Sequence, residues 1–239
     1  MASEALFFGA HPDDIELSCG GLAALLAKHG HAVGLVDLTR GELGTRGDTA
    51  LREREAGAAA RALGVSSREC LGLPDGGLDR HDRAQLVAVV ECLRRHRPSL
   101  VVAPHRDDAH PDHVETSHLV TRASYLAGLA KYPAAGERWR PARLLYALYR
   151  GGTPATLVVD VTSVWEARVA AVEAHASQLD PDAGESTYLT TPGFRAEVEA
   201  RARVFGVQAG GTFGEGYRSR GPLALRDARA LLDPGGKRA

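Results

Sequence analysis

Two short polar segments carry the residue types that bind metal ions and activate water. The first is His11-Pro12-Asp13-Asp14, and the second is His110-Pro111-Asp112-His113. Neutral imidazole and carboxylate groups are zinc ligands, and a catalytic zinc site typically combines three protein ligands with one water. His11, Asp14 and His113 could supply such a set, which leaves one carboxylate to face the water and one histidine to reach a substrate. The pattern therefore predicts a hydrolytic metal site.

Each segment follows a short apolar run that predicts a buried strand. Residues 5–10 are apolar up to Pro12, which cannot donate to a sheet ladder, and residues 100–103 are apolar up to Pro104. Ligands of open α/β sheets bind beyond the carboxyl ends of the strands, near a change in strand order. We therefore expect the two segments to meet at one edge of a sheet, although they are far apart in the sequence.

Strand and helix patterns alternate along the chain, which predicts a parallel sheet with helices on both faces. Helices are predicted at residues 16–29, 49–63, 82–96, 112–130, 165–178 and 194–207, with Asp112 capping the fourth. Further strands are predicted at residues 32–38, 69–73, 144–149 and 157–161. Residues 39–48 and 180–192 are expected to be loops, and the residues after 226 are expected to fray.

The predicted fold class is therefore α/β, a Rossmann-like three-layer sandwich with a mostly parallel sheet and helices on both faces. We expect one domain over residues 1–239. In this interpretation residues 1–130 form the Rossmann-like core, and residues 131–239 extend the same domain.

The composition argues against several classes of protein. The chain has 239 residues, of which 44% are hydrophobic and 25% charged, as in ordinary soluble globular proteins. A net charge of −1 and 5% aromatic residues argue against nucleic acid as a partner. No apolar run approaches the roughly 20 residues that span a bilayer, and the first residues do not resemble a signal peptide. Three scattered cysteines without CxxC spacing favour reduced thiols in a cytoplasm.

Structural explanations for these residues stay open at this point. A His-Pro-Asp segment is also a common polar turn, although two of them at matching strand ends favour a shared site. One alternative is that Asp13 does no more than orient His11, and that His110 does no more than cap a helix. Asp75 lies in a Pro-Asp-Gly turn, where conformation alone favours Asp. Cys19 is a competing ligand, but its place inside a predicted helix assigns it to the core. Another metal hydrolase, such as a phosphoesterase, is one alternative function, although a two-metal centre would need more carboxylate ligands. A non-catalytic protein with a structural metal is the other, and it would need a fourth protein ligand.

Taken together, the two segments resemble the PIG-L/LmbE-like family of zinc-dependent N-acetylglucosamine deacetylases, over most of the chain. Residues 39–47, 71–75 and 213–217 look like the branch that deacetylates N-acetylglucosaminyl-malate in bacillithiol biosynthesis. The resemblance implies a hydrolase that acts on a small-molecule amino-sugar conjugate. Inositol-linked conjugates of the mycothiol type and chito-oligosaccharides are alternative substrates. The resemblance also implies a homo-oligomer, of which a hexamer is one form.

The resemblance implies a role for each residue of the two segments. His11, Asp14 and His113 would bind one Zn²⁺ per chain, although other divalent metals such as iron, cobalt or manganese suit the same ligands. Asp13 would act as the general base. His110 would stabilise the oxyanion that forms during amide hydrolysis, a contribution of about 100- to 1000-fold in rate.

Three further residues are implied to contact the substrate. An arginine near the start of the second helix has this role in the family, and Arg52 is the match, with Arg46 and Arg54 as alternatives. Asp75 would bind sugar hydroxyls. From helix spacing alone, Arg52 would instead form a solvated ion pair with Glu55.

Overall fold

The computed structural model describes residues 2–149 and 153–224. Its strands are β1 (Ala5–Gly9), β2 (Val33–Thr39), β3 (Ser67–Leu73), β4 (Leu100–Pro104), β5 (Arg143–Ala147), β6 (Leu157–Asp160) and β7 (Gly214–Ser219). Its α-helices are α1 (Asp14–Ser18), α2 (Gly20–Lys28), α3 (Thr49–Leu63), α4 (Arg83–His96), α5 (Pro111–Leu126), α6 (Trp165–Glu173), α7 (Ala176–Leu179) and α8 (Pro192–Ala209). Short 3₁₀ helices cover Thr162–Val164, Pro181–Ala183 and Tyr188–Thr190.

The strands form one mixed sheet in the order β3-β2-β1-β4-β5-β7-β6. The first five strands along the chain pair in parallel, whereas β7 runs antiparallel to both β5 and β6. The predicted α/β class with a mostly parallel sheet is confirmed. The order reverses between β1 and β4, so the carboxyl ends of these two strands form the switch point at which ligands bind in such sheets.

Alternating side chains of β1 divide the core into two layers. Phe7 packs with residues of α2, α3 and α6 on one face of the sheet, whereas Leu6 and Phe8 pack with residues of α4 and α5 on the other. All five residues of β1 are buried because helices cover both faces, which explains the continuous apolar run in the sequence. β1 is therefore a rigid support for the polar residues that follow it.

Several predicted element boundaries were wrong. The predicted helix 16–29 is two helices, because Cys19 leaves the helical region with φ −148° between α1 and α2. The side chain that caps α5 is that of His110, which accepts from the backbone N–H of Asp112, so Asp112 itself is not the cap. The predicted helix 165–178 is also divided, into α6 and α7. The loop predicted at 180–192 contains two 3₁₀ helices, and the fraying expected after residue 226 lies outside the described residues.

Strand β7 was not predicted, because its sequence Gly-Glu-Gly-Tyr-Arg-Ser has no apolar alternation. The strand nevertheless supports the first helices of the chain. Glu215 accepts hydrogen bonds from the backbone N–H groups of Gly21 (2.7 Å) and Leu22 (2.8 Å) at the start of α2. Tyr217 and Arg168 hold the same carboxylate in place. Within the described ranges, we find no helix with the length and apolarity that crossing a bilayer requires.

Candidate active site

The segments that follow β1 and β4 converge on one cavity of about 450 Å³. Its lining includes His11, Asp13 and Asp14 from the first segment and His110 and His113 from the second. This volume lies within the roughly 300–1,000 Å³ that small-molecule sites occupy. The structure thus brings together five residues that the sequence singled out, at the switch point of the sheet.

Asp14 lies between the two histidines of the predicted ligand set. Its Oδ2 is 3.4 Å from Nδ1 of His11, and its Oδ1 is 3.1 Å from Nε2 of His113. The backbone N–H of His11 and the hydroxyl of Tyr149 donate to the same carboxylate, at 2.8 and 2.7 Å. The ring of Tyr149 also packs against that of His113 at a tilt of 38°, with centroids 4.6 Å apart. Asp14 and both histidines are buried, so their positions are well defined by packing.

The second nitrogen of each histidine ring faces a carboxylate. Nδ1 of His113 is 3.1 Å from Asp108, and Nε2 of His11 is 3.3 Å from Asp112 and 3.0 Å from Asp75. A carboxylate on one ring nitrogen fixes the proton there and leaves the other nitrogen as a ligand. His11 Nδ1 and His113 Nε2 are therefore the nitrogens available to a cation beside Asp14.

The charges of the site favour a cation. Burial alone would lower the pKa of His11, but hydrogen bonds to Asp112 and Asp14 raise it to about 12. Burial also opposes charge on His113, whereas Asp14 and Asp108 raise its pKa to about 10. A divalent ion would supply this positive charge and leave both rings neutral. The ligand atoms fit zinc, iron, cobalt or manganese, and His110 is an alternative donor whose ligand atom lies within 4.8 Å of those of His11 and His113.

Asp13 differs from its neighbour Asp14 in its surroundings. Its backbone has φ 112°, a left-handed conformation that costs energy in a non-glycine residue and is common at functional sites. Its buried carboxylate lies 3.5 Å from Nη2 of Arg52. Burial raises the pKa of Asp13 to about 6, although the Arg52 charge opposes the rise and Asp14 adds to it. A carboxyl with this pKa can accept a proton near neutral pH and later release it.

His110 both caps α5 and faces the cavity. Its Nδ1 accepts a hydrogen bond from the backbone N–H of Asp112 at 3.2 Å, which leaves the proton of the neutral ring on Nε2. The ring centroid is 4.8 Å from those of His11 and His113. Burial, together with the neighbouring His113 and His11, lowers the pKa of His110. The neutral ring is therefore an uncharged donor that points into the site.

The structure distinguishes the three candidate arginines. Arg52 lines the cavity, and its guanidinium donates to the carbonyls of Gly41 (2.9 Å) and Pro12 (2.7 Å). Arg46 is buried but does not line the cavity, because it donates to the carbonyl of Asp180. Arg54 is exposed.

The predicted ion pair of Arg52 with Glu55 is absent from the salt bridges of the described residues. Glu55 instead accepts hydrogen bonds from the backbone and hydroxyl of Ser177, at 2.7 and 2.6 Å.

The glycine-rich loop at residues 40–48 forms one wall of the cavity. Gly41 has φ +67°, and a Cβ there would lie 1.9 Å from Nη1 of Arg52, so this position needs glycine. The loop is also tied to Asp75, whose Oδ2 accepts from the backbone N–H of Leu43 at 2.8 Å. The hydrogen bond with His11 lowers the pKa of Asp75 to about 2. Asp75 therefore lines the cavity as a carboxylate that is already bonded to the histidine and the loop.

Three residues of the site were missed in the sequence. Asp108 was given no role in the site, Asp112 was assigned to a helix cap, and Tyr149 was only the end of a predicted strand. The position of Tyr149 at the carboxyl end of a strand is a signal that could have identified it. Asp108 and Asp112 also follow the carboxyl end of a strand, β4, but only the fold shows that they face ring nitrogens.

This chain is similar to a known protein family and to individual deacetylases. Residues 6–124 match the family described as PIG-L, GlcNAc-PI de-N-acetylase. The 1D-myo-inositol 2-acetamido-2-deoxy-alpha-D-glucopyranoside deacetylase of Nocardiopsis dassonvillei is 30% identical, over 71% of this chain and 82% of the relative.

Solved structures agree with these matches. The conserved protein TT1542 from Thermus thermophilus has 36% sequence identity and a TM-score of 0.85, covering 93% of this chain and 97% of that chain. The N,N'-diacetylchitobiose deacetylase from Pyrococcus horikoshii has 25% identity and a TM-score of 0.79, covering 91% of this chain and 84% of that chain.

Proposed function

Because this chain belongs to the PIG-L family of GlcNAc-PI de-N-acetylases, we propose that it is a metal-dependent hydrolase that removes the N-acetyl group from an N-acetylglucosamine conjugate. One observation carries the proposal. Asp14 lies between one nitrogen of His11 and one of His113, and the second nitrogen of each ring faces a carboxylate. This arrangement suits a three-ligand catalytic metal site with an adjacent base, Asp13.

We propose zinc as the ion of this site, one per chain, held by His11, Asp14 and His113. A bound divalent ion lowers the pKa of a water to about 7 and polarises the acetyl carbonyl. The nitrogen and oxygen donors suit iron, cobalt or manganese as well, so the physiological ion depends on availability in the cell.

The side chains of this protein supply the proton transfers. Asp13 accepts a proton from the attacking water as the new carbon–oxygen bond forms, and it returns the proton to nitrogen as the amide bond breaks. The Nε2–H of His110 donates to the oxyanion of the tetrahedral intermediate. Arg52 keeps Asp13 in place, and Arg52 and Asp75 together present hydrogen-bonding groups to the sugar. The products are acetate and a free amine.

The aglycone of the substrate has two candidates. The segments at 39–47, 71–75 and 213–217 support malate, because they resemble the bacillithiol branch. The arginines that line the cavity within the described residues support an uncharged aglycone such as inositol. Arg52 donates to the carbonyls of Gly41 and Pro12, and Arg201 donates to those of Tyr149 and Leu17. Each guanidinium therefore has fewer N–H donors left for bidentate binding of a malate carboxylate, whereas one donor is enough for a sugar hydroxyl. The inositol-linked candidate also agrees with the name of the Nocardiopsis dassonvillei relative.

A free-amine release assay tests the proposal. The substrates are N-acetylglucosaminyl-malate, its inositol counterpart, diacetylchitobiose and plain N-acetylglucosamine, each with and without a chelator. We expect release from one of the conjugates, lost with chelator and restored by zinc. No release from any of them, with metal present, would contradict the proposed activity.

Assembly and compartment are further proposals. We propose a homo-oligomer, as the family resemblance implies. We also propose that the protein works in the cytoplasm, because its three cysteines, Cys19, Cys70 and Cys92, are free thiols. Light scattering on the purified protein measures the subunit number, and a monomer at micromolar concentration would contradict the oligomer. We also propose that residues 131–239 belong to the same domain as residues 1–130, because β5, β6 and β7 continue the sheet.

A further inference from the structure

A second group of metal-ligating side chains lies away from the candidate active site. Glu69 is on β3, and Cys92 and His96 are on α4, four residues apart and thus on the same helical face. The thiol of Cys92 donates to Oε1 of Glu69 at 3.1 Å, and Nε2 of His96 is 2.9 Å from the same oxygen. One ligand atom of each residue lies within 4.8 Å of the other two.

This cluster is separate from the candidate active site, because none of its three residues lines that cavity. His96 ends α4 and is 3.0 Å from the hydroxyl of Ser3, which precedes β1. Asp13 and Asp14, in contrast, follow the carboxyl end of β1. A metal at Glu69, Cys92 and His96 could therefore not act as the second ion of a two-metal catalytic centre, whose ions lie about 3.5–4 Å apart.

The chemistry of the cluster is that of a zinc site. Thiolate, imidazole and carboxylate are the three kinds of zinc ligand in proteins. The hydroxyl of Ser3 can accept the Nδ1 proton of His96, which leaves Nε2 as the ligand nitrogen and fixes the ring. Cys92 is fully buried and the side chain of Glu69 is 32% exposed, so the cluster is closed on the protein side and open to water on the other.

Hydrogen bonding alone is the competing explanation for the cluster. Arg95 donates to both oxygens of Glu69 at 3.0 Å, but its side chain is 52% exposed, and such surface pairs are weak. The donor–acceptor distances, 2.9–3.1 Å, are close to the 3.1–3.4 Å that separate Asp14 from its histidines at the candidate active site. Small shifts of the side chains that separate these ligand atoms would therefore make room for an ion at either site.

We propose that Glu69, Cys92 and His96 form a second zinc site, which joins α4 to the edge strand β3 and completes its coordination with water. With three protein ligands and a water, this site would be open, unlike a closed structural zinc site, and the ion would connect the end of α4 to β3 outside the cavity of the candidate active site. Burial and the Glu69 charge raise the pKa of the Cys92 thiol, so the ion must displace a proton and its affinity falls as the pH is lowered.

Cobalt(II) is the probe that tests this site on the whole protein. None of the described residues that line the candidate active site carries sulfur, so a thiolate-to-cobalt charge-transfer band in the near ultraviolet would report the second site alone. We expect two cobalt ions per chain with this band. Cys92→Ser should lose the band and one ion, and it should keep amine release at the wild-type rate.

Matched variants separate this site from its surroundings. Cys70→Ser, next to Glu69 on the same strand and exposed, should keep the band and both ions. His113→Ala should lose the other ion and keep the band, whatever the outcome for amine release. If Cys92→Ser fails to fold, Glu69→Gln should still weaken cobalt binding at this site at least tenfold. The absence of the band in the wild-type protein, or a band that survives Cys92→Ser, would overturn the proposal.

Discussion

Replacing Asp13 by Asn should make the metal-free protein more stable and the enzyme nearly inactive. Asn keeps the size of the side chain and tolerates the left-handed backbone at this position, where Asp13 has φ 112°. A general base typically contributes about 100- to 10,000-fold in rate, and we expect a loss of that size in amine release. Metal binding should persist, because Asp13 lies outside the proposed ligand set.

The stability change follows from the burial of the carboxylate. The pKa of Asp13 moves from its ordinary value of 3.8 to about 6 on folding, which corresponds to about 3 kcal/mol. Because the folded protein holds the proton more tightly than the unfolded chain, the proton on Asp13 contributes to the free energy of unfolding. This contribution is fully present below pH about 4 and is lost as the pH rises through about 6. The side chain of Asp13→Asn never carries the charge. The free energy of unfolding of this variant should therefore exceed that of the wild type by about 3 kcal/mol at pH 8 and match it near pH 4.

Urea unfolding of the chelated protein at both pH values measures this difference, with the midpoint and slope compared between variants. Asp107→Asn, an exposed acid on the loop before α5, is the control and should change stability by little at either pH. A variant at position 13 that is no more stable than the wild type at pH 8 would refute the burial argument. A rate within tenfold of the wild type would refute the role of Asp13 as base.

Three further predictions concern the neighbours of this residue. Asp108→Asn should weaken zinc affinity about 10- to 100-fold in a competition titration, because the carboxylate orients a ligand histidine, whereas Asp107→Asn should not. His110→Ser keeps a side chain that can cap α5 but loses the Nε2 donor, so kcat should fall about 100- to 1000-fold with metal content unchanged. Arg52→Gln removes the cation that lowers the pKa of Asp13, so the acid limb of the pH–rate profile should move to higher pH.

Each of these predictions has an outcome that contradicts it. An Asp108→Asn protein with wild-type zinc affinity would mean that its contact with the histidine is incidental. Normal turnover in His110→Ser would leave His110 as a helix cap only. Arg54→Gln, an exposed neighbour on α3, serves as the control for Arg52→Gln, and equal pH profiles for the two would remove Arg52 from the control of Asp13.

The sequence predicted the elements that are buried on both faces and the loops that follow them. The apolar runs before Pro12 and Pro104 located β1 and β4, because only a covered central strand is apolar at every position. The convergence of the two histidine segments followed from the same reasoning. Strand β7 was missed because an antiparallel strand with Gly, Glu and Arg has neither an apolar run nor alternation.

Side-chain partners across the fold were not predictable in this way. Helix spacing predicted that Glu55 would pair with Arg52. Its carboxylate instead accepts a hydrogen bond from Ser177, which is 122 residues away in sequence. Spacing rules describe neighbours on one helix, and they contain no information on which other helix will pack there. For the same reason, the contacts of Asp108 and Asp112 with the ring nitrogens could not be predicted from spacing.

The hydrogen bonds of Glu215 to the start of α2 have a consequence for synthesis on the ribosome. This helix follows directly on α1, which carries Asp14, and its capping carboxylate is translated 194 residues after Gly21. A nascent chain that already contains both histidine segments still lacks this support. We expect α1 and α2 to be less stable in chains stalled before residue 214. A protease added during translation should therefore cut such chains near Cys19 until β7 has emerged.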